Sequence, residues 1–342
     1  MNSCIPSGST VTGLLCAAAC PLLAGCGSPA LVTALREGTP HELKSFTLQH
    51  HPSDGRLSLS LSSPGARHDR TRKTSVVTTP QALIHRDGVP VYTIRAQRGL
   101  FLGNNRLVQL DGTVELVHLG EPSTVVRGER LRWDTHRGHM TVTVNLEVIR
   151  QDVRMTAGRA EFDFAGRDLT LHDQVVVLDR SPQADDLHLE ATTLHWNLAS
   201  GDLRAPGLVK GRQNAPGGAV QSVQGINLTG NSQQRWLELQ APVQLQTRQT
   251  GQWQARDSVL WWLDRQRLES PGLLEAQVGD LQISGRAAAL DLKQGVLTVA
   301  EDCRFRQPDE TLNAQQCRWD RQEGTISARG GVTFSGIVPE TE

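Results

Sequence analysis

From His139 to Ile149 the chain alternates: Met140, Val142, Val144, Leu146 and Val148 are apolar, while His139, Thr141, Thr143, Asn145 and Glu147 are polar. Successive side chains of a strand point to opposite faces, so this spacing predicts a strand with one buried face. Upstream, Leu131 and Trp133 alternate with Arg130, Arg132 and Asp134, and Thr135-His136-Arg137-Gly138 intervenes. Gly138 suits the positive φ of a chain reversal, so the segment reads as a β-hairpin with one oily face.

The unit recurs. Related stretches begin at Thr156, Glu190 and Asn313; in the last two, Ala191, Trp196, Asn197, Gly201, Leu203 and Val209 fall on Ala314, Trp319, Asp320, Gly324, Ile326 and Val332 without a gap. Weaker copies centre on Phe101, Leu228, Trp261 and Leu290, so an anchor recurs at 101, 133, 162, 196, 228, 261, 290 and 319, at intervals of 29 to 34 residues. A period in this range predicts stacked hairpins, each of which buries its apolar face only against its neighbours. Leu131, Trp133, Met140, Val142, Val144, Leu146, Val148, Phe162, Leu169, Leu171, Leu194 and Trp196 then line one interior, either a filled core or a groove. With 6 Phe and 1 Tyr in 342 residues the filler is mostly Leu and Val, which suits acyl chains and a plain core equally.

The two ends differ from this body. Val11 to Ala24 is a short apolar stretch broken by Pro21, too short for the ~20 residues of a membrane-spanning helix. It ends in Leu23-Ala24-Gly25-Cys26, which resembles the lipobox of bacterial lipoproteins. That resemblance implies a signal peptide over residues 1–25 and a diacylglycerol thioether on Cys26, the mature N-terminus; an ordinary cleaved leader is the other reading, and residues 1–10 lack the usual Lys or Arg. Residues 26–55 are rich in turn formers and read as anchor and tether, followed by repeats over 56–213 and, past the "NAPGG" break at 214–218, by further repeats over 219–338. Cys4, Cys16 and Cys20 would leave with the leader, so Cys303 and Cys317 remain in successive repeats, as a disulfide or as two buried thiols.

A net charge of −1 lacks the clustered Lys and Arg that nucleic-acid binding needs, so no nucleic-acid partner is expected. No nucleophile elbow, zinc-protease helix, P-loop or dinucleotide fingerprint occurs. His136 and His139 straddle the expected turn without a third ligand, and Glu161 and Asp163 read as solvent-facing strand charges, so neither an enzyme nor a metal or cofactor site is expected.

"VYTIRAQRGLFLGNNRLVQLDGTVELV" (91–117) and "VVRGERLRWDTHRGHMTVTVNLEV" (125–148) carry Ala96, then Leu110-Asp111-Gly112-x-Val114, then Leu131-x-Trp133-Asp134 and a Gly-containing turn. In that order and spacing the chain resembles the LptC family of lipopolysaccharide export and the related OstA-like domains, over residues 56–200 and more weakly to about 335. The resemblance implies an all-β fold, a twisted antiparallel β-jellyroll (a β-taco) open along one side, and no catalysis. It implies a hydrophobic trough for the acyl chains of lipopolysaccharide, taken from inner-membrane ABC transporter subunits and passed to an LptA-like periplasmic bridge protein. It further implies a place in the periplasm at the inner membrane, with sheets joined edge to edge. A lipobox here stands where the family carries a transmembrane helix, and the chain is about twice the usual length. The last alternating stretch, with Thr325, Ile326, Ala328, Val332 and Phe334, has Arg329 as its one charge up to Val338 and no Pro, which leaves an edge unblocked for a partner strand. A structural envelope lipoprotein with a closed β-solenoid core and a polysaccharide-acting β-solenoid enzyme are the alternatives.

Overall fold

A computed structural model describes residues 40–50, 58–103, 105–164, 167–180, 186–213, 220–247 and 251–336. All belong to the second of two units, Gly38–Glu342. The described residues form no helix; they form one antiparallel sheet of 25 strands, from His41–His50 to Thr333–Gly336. Cys26 and the expected leader lie outside the described residues. The sheet begins inside the segment expected to be tether, because His41–His50 pairs with Ser58–Asp69. The break at 214–219 also lies outside, yet the strands flanking it, Asp202–Gln213 and Val220–Asn231, pair with each other, so one sheet runs past the expected boundary.

Each pass of the chain is bent. Strands such as Leu107–His118, His139–Arg150, Asp168–Asp179 and Asp202–Gln213 are 12 residues long, and their registers shift near the middle. Six pairs of short strands, among them Gly251–Ala255 with Ser258–Trp262 and Arg267–Ser270 with Leu274–Val278, are single passes interrupted at the same place. The bends carry left-handed residues: Gly112 and Thr113, Val144 and Asn145, Asp173 and Gln174, Gly207, Asn227, Ala287 and Asp302. Such bulges turn a strand sharply. Repeated in every pass, they fold the sheet along its midline, so the two halves of each strand face one another across a shared core.

The bend corrects the strict alternation expected of 139–149. Met140, Val142, Leu146 and Val148 are buried, but Val144 is 44% exposed at φ 66°. Thr143 pairs with Arg130 and Glu147 with Arg127, so the bulge takes up Val144 and Asn145 without a cross-strand partner and restores the phase two residues later. Equal parity on both sides of the bend conceals it in the sequence.

The anchors form one row across the sheet. Phe101 pairs with Val108, Val108 with Trp133, Trp133 with Met140, Met140 with Phe162, Phe162 with Leu169 and Leu169 with Trp196. The row continues through Leu203, Gly230, Leu237, Trp261, Leu268, Leu290 and Leu297 to Trp319 and Ile326. In the copy centred on Leu228 the rung is therefore Gly230, two residues on. A Cβ there would sit 2.7 Å from the Trp236 carbonyl oxygen and 2.8 Å from Leu237 Cδ2, so only glycine fits that rung.

The residue after the anchor explains the turns. The side-chain oxygen of Asp134 accepts from the N–H groups of His136 and Arg137, and Asn197, Asn231, Asp291 and Asp320 cap their own turns likewise. These short polar side chains stand in for a backbone acceptor. Successive turns then link, with Leu198 N–H donating to Arg167 O at 3.0 Å and Leu292 N–H to Gln266 O at 2.8 Å.

A carboxylate at Val142, which is 1% exposed, should cost several kcal/mol, while Val144→Asp should cost less than about 1 kcal/mol because Asp tolerates a positive φ better than a β-branched residue. Urea midpoints compare the two; equal damage would place Val144 inside.

Candidate functional site

The interior between the halves is bounded by two rims of turns. One follows the anchor row, with turns at 135–138, 198–201, 232–235, 263–266 and 292–295. It is apolar: Phe164, Leu198, Leu263 and Leu292 tuck inward behind the row, none more than 6% exposed.

The other rim carries buried polar groups, which no pattern along the chain marks. Register places Tyr92 opposite His118, His118 opposite Thr124, Val153 opposite both Arg150 and Asp179, and Leu187 opposite both Asp179 and Gln213. Thr247, opposite Val220, continues this rim. Thr124, Arg150, Asp179, Gln213 and Thr247 are all buried, each the first or last residue of its strand. They recur at intervals of 26 to 34 residues, close to those of the anchors, but isolated polar residues beside turns carry no periodic signal in a chain full of polar turns. Thr124 Oγ1 and Gln213 Oε1 have no hydrogen-bond partner among the described residues.

Three arginines cross between the rims. Arg86 donates to the Phe164 carbonyl oxygen. Arg150 donates to Leu198 O at 3.3 Å and lies over the Trp196 ring at 5.0 Å. Arg235 donates to Asp179 at 2.9 Å and to Asp264. Burial alone would lower the Arg235 pKa, yet its hydrogen bonds to Asp264 and Asp179 raise it, whereas burial pulls that of Arg150 down. Tyr92 packs edge-on against Phe164 at 4.8 Å and against His118 at 5.0 Å, which closes the interior in this region.

Of the residues expected to line a trough, Leu131, Trp133, Met140, Val142, Leu146, Val148, Phe162, Leu169, Leu171, Leu194 and Trp196 face this interior and are buried; Val144 points out. The interior around them is filled. An apolar cavity of about 20 Å³ lies farther along, bounded by Val243, Leu245, Trp253 and Leu274 from one half and by Val259, Leu268, Ala288 and Leu290 from the other.

At the far end of the sheet, Thr325–Arg329 and Thr333–Gly336 pair on one side only among the described residues. Ile326 is the last rung of the anchor row and is 39% exposed, and Phe334, opposite Leu312, is 62% exposed. Ala328 is partly buried, Thr325 is exposed, and Val332 lies just before the last strand rather than in it. The disulfide Cys303–Cys317, with Cα atoms 6.0 Å apart, ties the neighbouring passes together on the inner side.

Other chemistry is sparse. His136 and His139 are exposed at a hairpin tip, and among the described residues no group of three His, Cys, Asp or Glu is placed to hold a metal. Glu161 lies 3.5 Å from Arg159 and 3.5 Å from His172 on the outer face. No helix among the described residues is long and apolar enough to cross a membrane.

A family model described as lipopolysaccharide-assembly, LptC-related, matches residues 42–142 and again 141–248. No curated protein matches the sequence. The crystal structure of LptH, described as the LptA homologous periplasmic component of the lipopolysaccharide transport device of Pseudomonas aeruginosa, is similar over 55% of this chain and 96% of that chain, at 13% identity and a TM-score of 0.16. The sheet runs from the first match into the second within one strand, His139–Arg150, and continues past residue 248 to Gly336.

Burial, then the positive charges of Arg150, Arg167 and Arg86, hold the His118 pKa below its ordinary value of about 6.5. The unfolded chain therefore takes up the proton first. Stability is full above about pH 6.5 and is lost as the pH falls from there through the folded pKa. His118→Gln should flatten this part of the acid limb in urea titrations run at pH 5 to 7.5; an unchanged slope would place the acid sensitivity elsewhere.

Proposed function

Because the chain belongs to the LptC-related lipopolysaccharide-assembly family, we propose that it is a periplasmic bridge component that holds lipopolysaccharide acyl chains between the halves of its folded sheet. The observation that carries this reading is the asymmetry of the rims. A plain core needs no buried polar row along one margin, since each such group costs free energy unless it is bonded. An amphiphile needs both margins: acyl chains pack against Trp133, Phe162, Trp196 and Trp261, while the sugar and phosphate headgroup lies along Thr124, Arg150, Asp179, Gln213 and Thr247. The interior is filled between 131 and 196, so a lipid is taken up by parting the rims, which the arginine crossings hold together through few bonds.

The lipid comes from inner-membrane ABC transporter subunits, with Cys26 as the lipid anchor on the periplasmic face of that membrane, and leaves to an LptA-like partner. The open edge at Thr325–Arg329 and Thr333–Gly336 supports this hand-over. Ile326 and Phe334 extend the inner lining to the last strand, so an added strand would continue the trough as well as the sheet. The length beyond residue 248 lets this chain itself supply part of the bridge.

A photo-crosslinking residue at Leu203, half-buried on the anchor row, and at Ile326 should capture lipopolysaccharide in cells, while one at the outward-facing Gln244 should not. A closed structural core predicts capture at none of the three.

A chain ending at Gly324 lacks the edge pass, and it should fold, by circular dichroism, yet lose most of its capture of an LptA-like partner in a pull-down. Undiminished capture would put the partner at another edge.

A further inference from the structure

The polar rim is not uniform. At its Tyr92 end, three arginines from separate strands and turns, Arg86, Arg150 and Arg167, bring positive charge to bear on His118. His118 and Thr124 are cross-strand partners, and Thr124 lies one step beyond the Val125 to Ile149 pair, beside Arg150. Arg86 reaches the same place through Phe164, whose carbonyl it holds and whose ring lies on Tyr92. Arg167 reaches it through Leu198, whose N–H bonds Arg167 O and whose carbonyl takes Arg150.

We propose that Arg86, Arg150 and Arg167, with His118 and Thr124, form a binding site for a phosphate monoester, supplied by the headgroup of the glycolipid carried in the trough. The proposal rests on the lipid-carrying reading of that trough.

Arg235 shows what a structural crossing of this mouth requires, because its guanidinium is neutralised by Asp179 and Asp264. Arg150 is more buried, at 8% exposure, and among the described residues neither it nor Arg86 nor Arg167 makes an ion pair. A buried guanidinium with five donors and one bonded neutral carbonyl is costly unless an anion completes it. Of the charges that act on Tyr92, Arg86 and Arg167 are positive and Asp163 is negative.

Thr124 is the second, independent sign: the residue is 1% exposed, and its buried hydroxyl has no partner among the described residues. A hydroxyl and three guanidiniums arriving from different elements suit the several acceptor oxygens of a tetrahedral phosphate, where a carboxylate would need a single planar fork. One step inward from His118, Thr124 and Arg150 lie Leu116, Val126 and Val148, each at most 1% exposed, so an anion at the rim leaves its alkyl chains pointing into the apolar interior.

The test measures binding of purified lipopolysaccharide, of the same material after enzymatic dephosphorylation, and of inorganic phosphate. Each probe is run on the wild type, on Arg150→Gln and on Arg167→Gln; Arg167 is exposed, so its variant folds even if the loss of Arg150 disturbs the core. Dephosphorylation should weaken binding to the wild type about tenfold or more, and each substitution should remove most of that preference. Inorganic phosphate at millimolar concentration should shift the tryptophan fluorescence, since Arg150 lies on Trp196, and should do so less in either variant. Equal binding of both lipids by the wild type, or full preference retained in Arg167→Gln, overturns the phosphate site and leaves the trough reading standing. Phosphate binding with neither lipid bound supports the site and overturns the trough reading, and absence of all binding overturns both.

Discussion

A sheet with one apolar face must be covered, and among the described residues no helix or second sheet covers it, so every strand has to bury its own other half. That requirement accounts for the bulges. A flat 12-residue strand would leave its inner face in water; a strand broken at Val144 and Asn145, or at Asp173 and Gln174, closes on itself. The cost is backbone strain at left-handed positions, of order 1–2 kcal/mol each where the residue is β-branched or bulky. The burial of residues such as Phe162, Leu169 and Trp196 offsets it, at roughly 1.5–3 kcal/mol per large side chain.

Because every pass bends at the same place, the two halves are chemically independent, and they have diverged. The anchor half presents aromatic and aliphatic side chains to its rim; at the other rim the apolar strand ends Val153, Leu187 and Val220 lie between the polar ends Thr124, Arg150, Asp179, Gln213 and Thr247. The rims meet through Arg86, Arg150 and Arg235, which bridge an apolar lip to a polar one, and the same bonds that hold the interior shut sit where a headgroup would lie. The outer face is ordinary by comparison: Arg127 bridges Glu115 and Glu147, and Arg130 bonds Asp111, exposed pairs worth about 0–1 kcal/mol each.

Much of this was legible in the chain. The anchor spacing follows from one hairpin per repeat, and the Trp-Asp or Trp-Asn pairs at 133–134, 196–197 and 319–320 record a buried rung followed by a turn cap. Periodicity reads these because side-chain direction alternates with every residue and turns need particular residue types. It could not read the bend at Val144, since a two-residue bulge leaves parity intact, nor place the rung at Gly230, where close approach of the Trp236 backbone removes the side chain that would mark it.

The sequence by itself determined the all-β class, the hairpin repeat and the apolar face, because each is a local matter of alternation and turn chemistry. Only the tertiary structure decided what that face encloses. Thr124, Arg150, Asp179, Gln213 and Thr247 form a row, and Arg86 meets Phe164 across 78 residues, because folding the sheet along its midline brings together strand ends that share no local pattern. Cross-strand register and the bend set these distances, and neither is written in the spacing of apolar residues along a single strand.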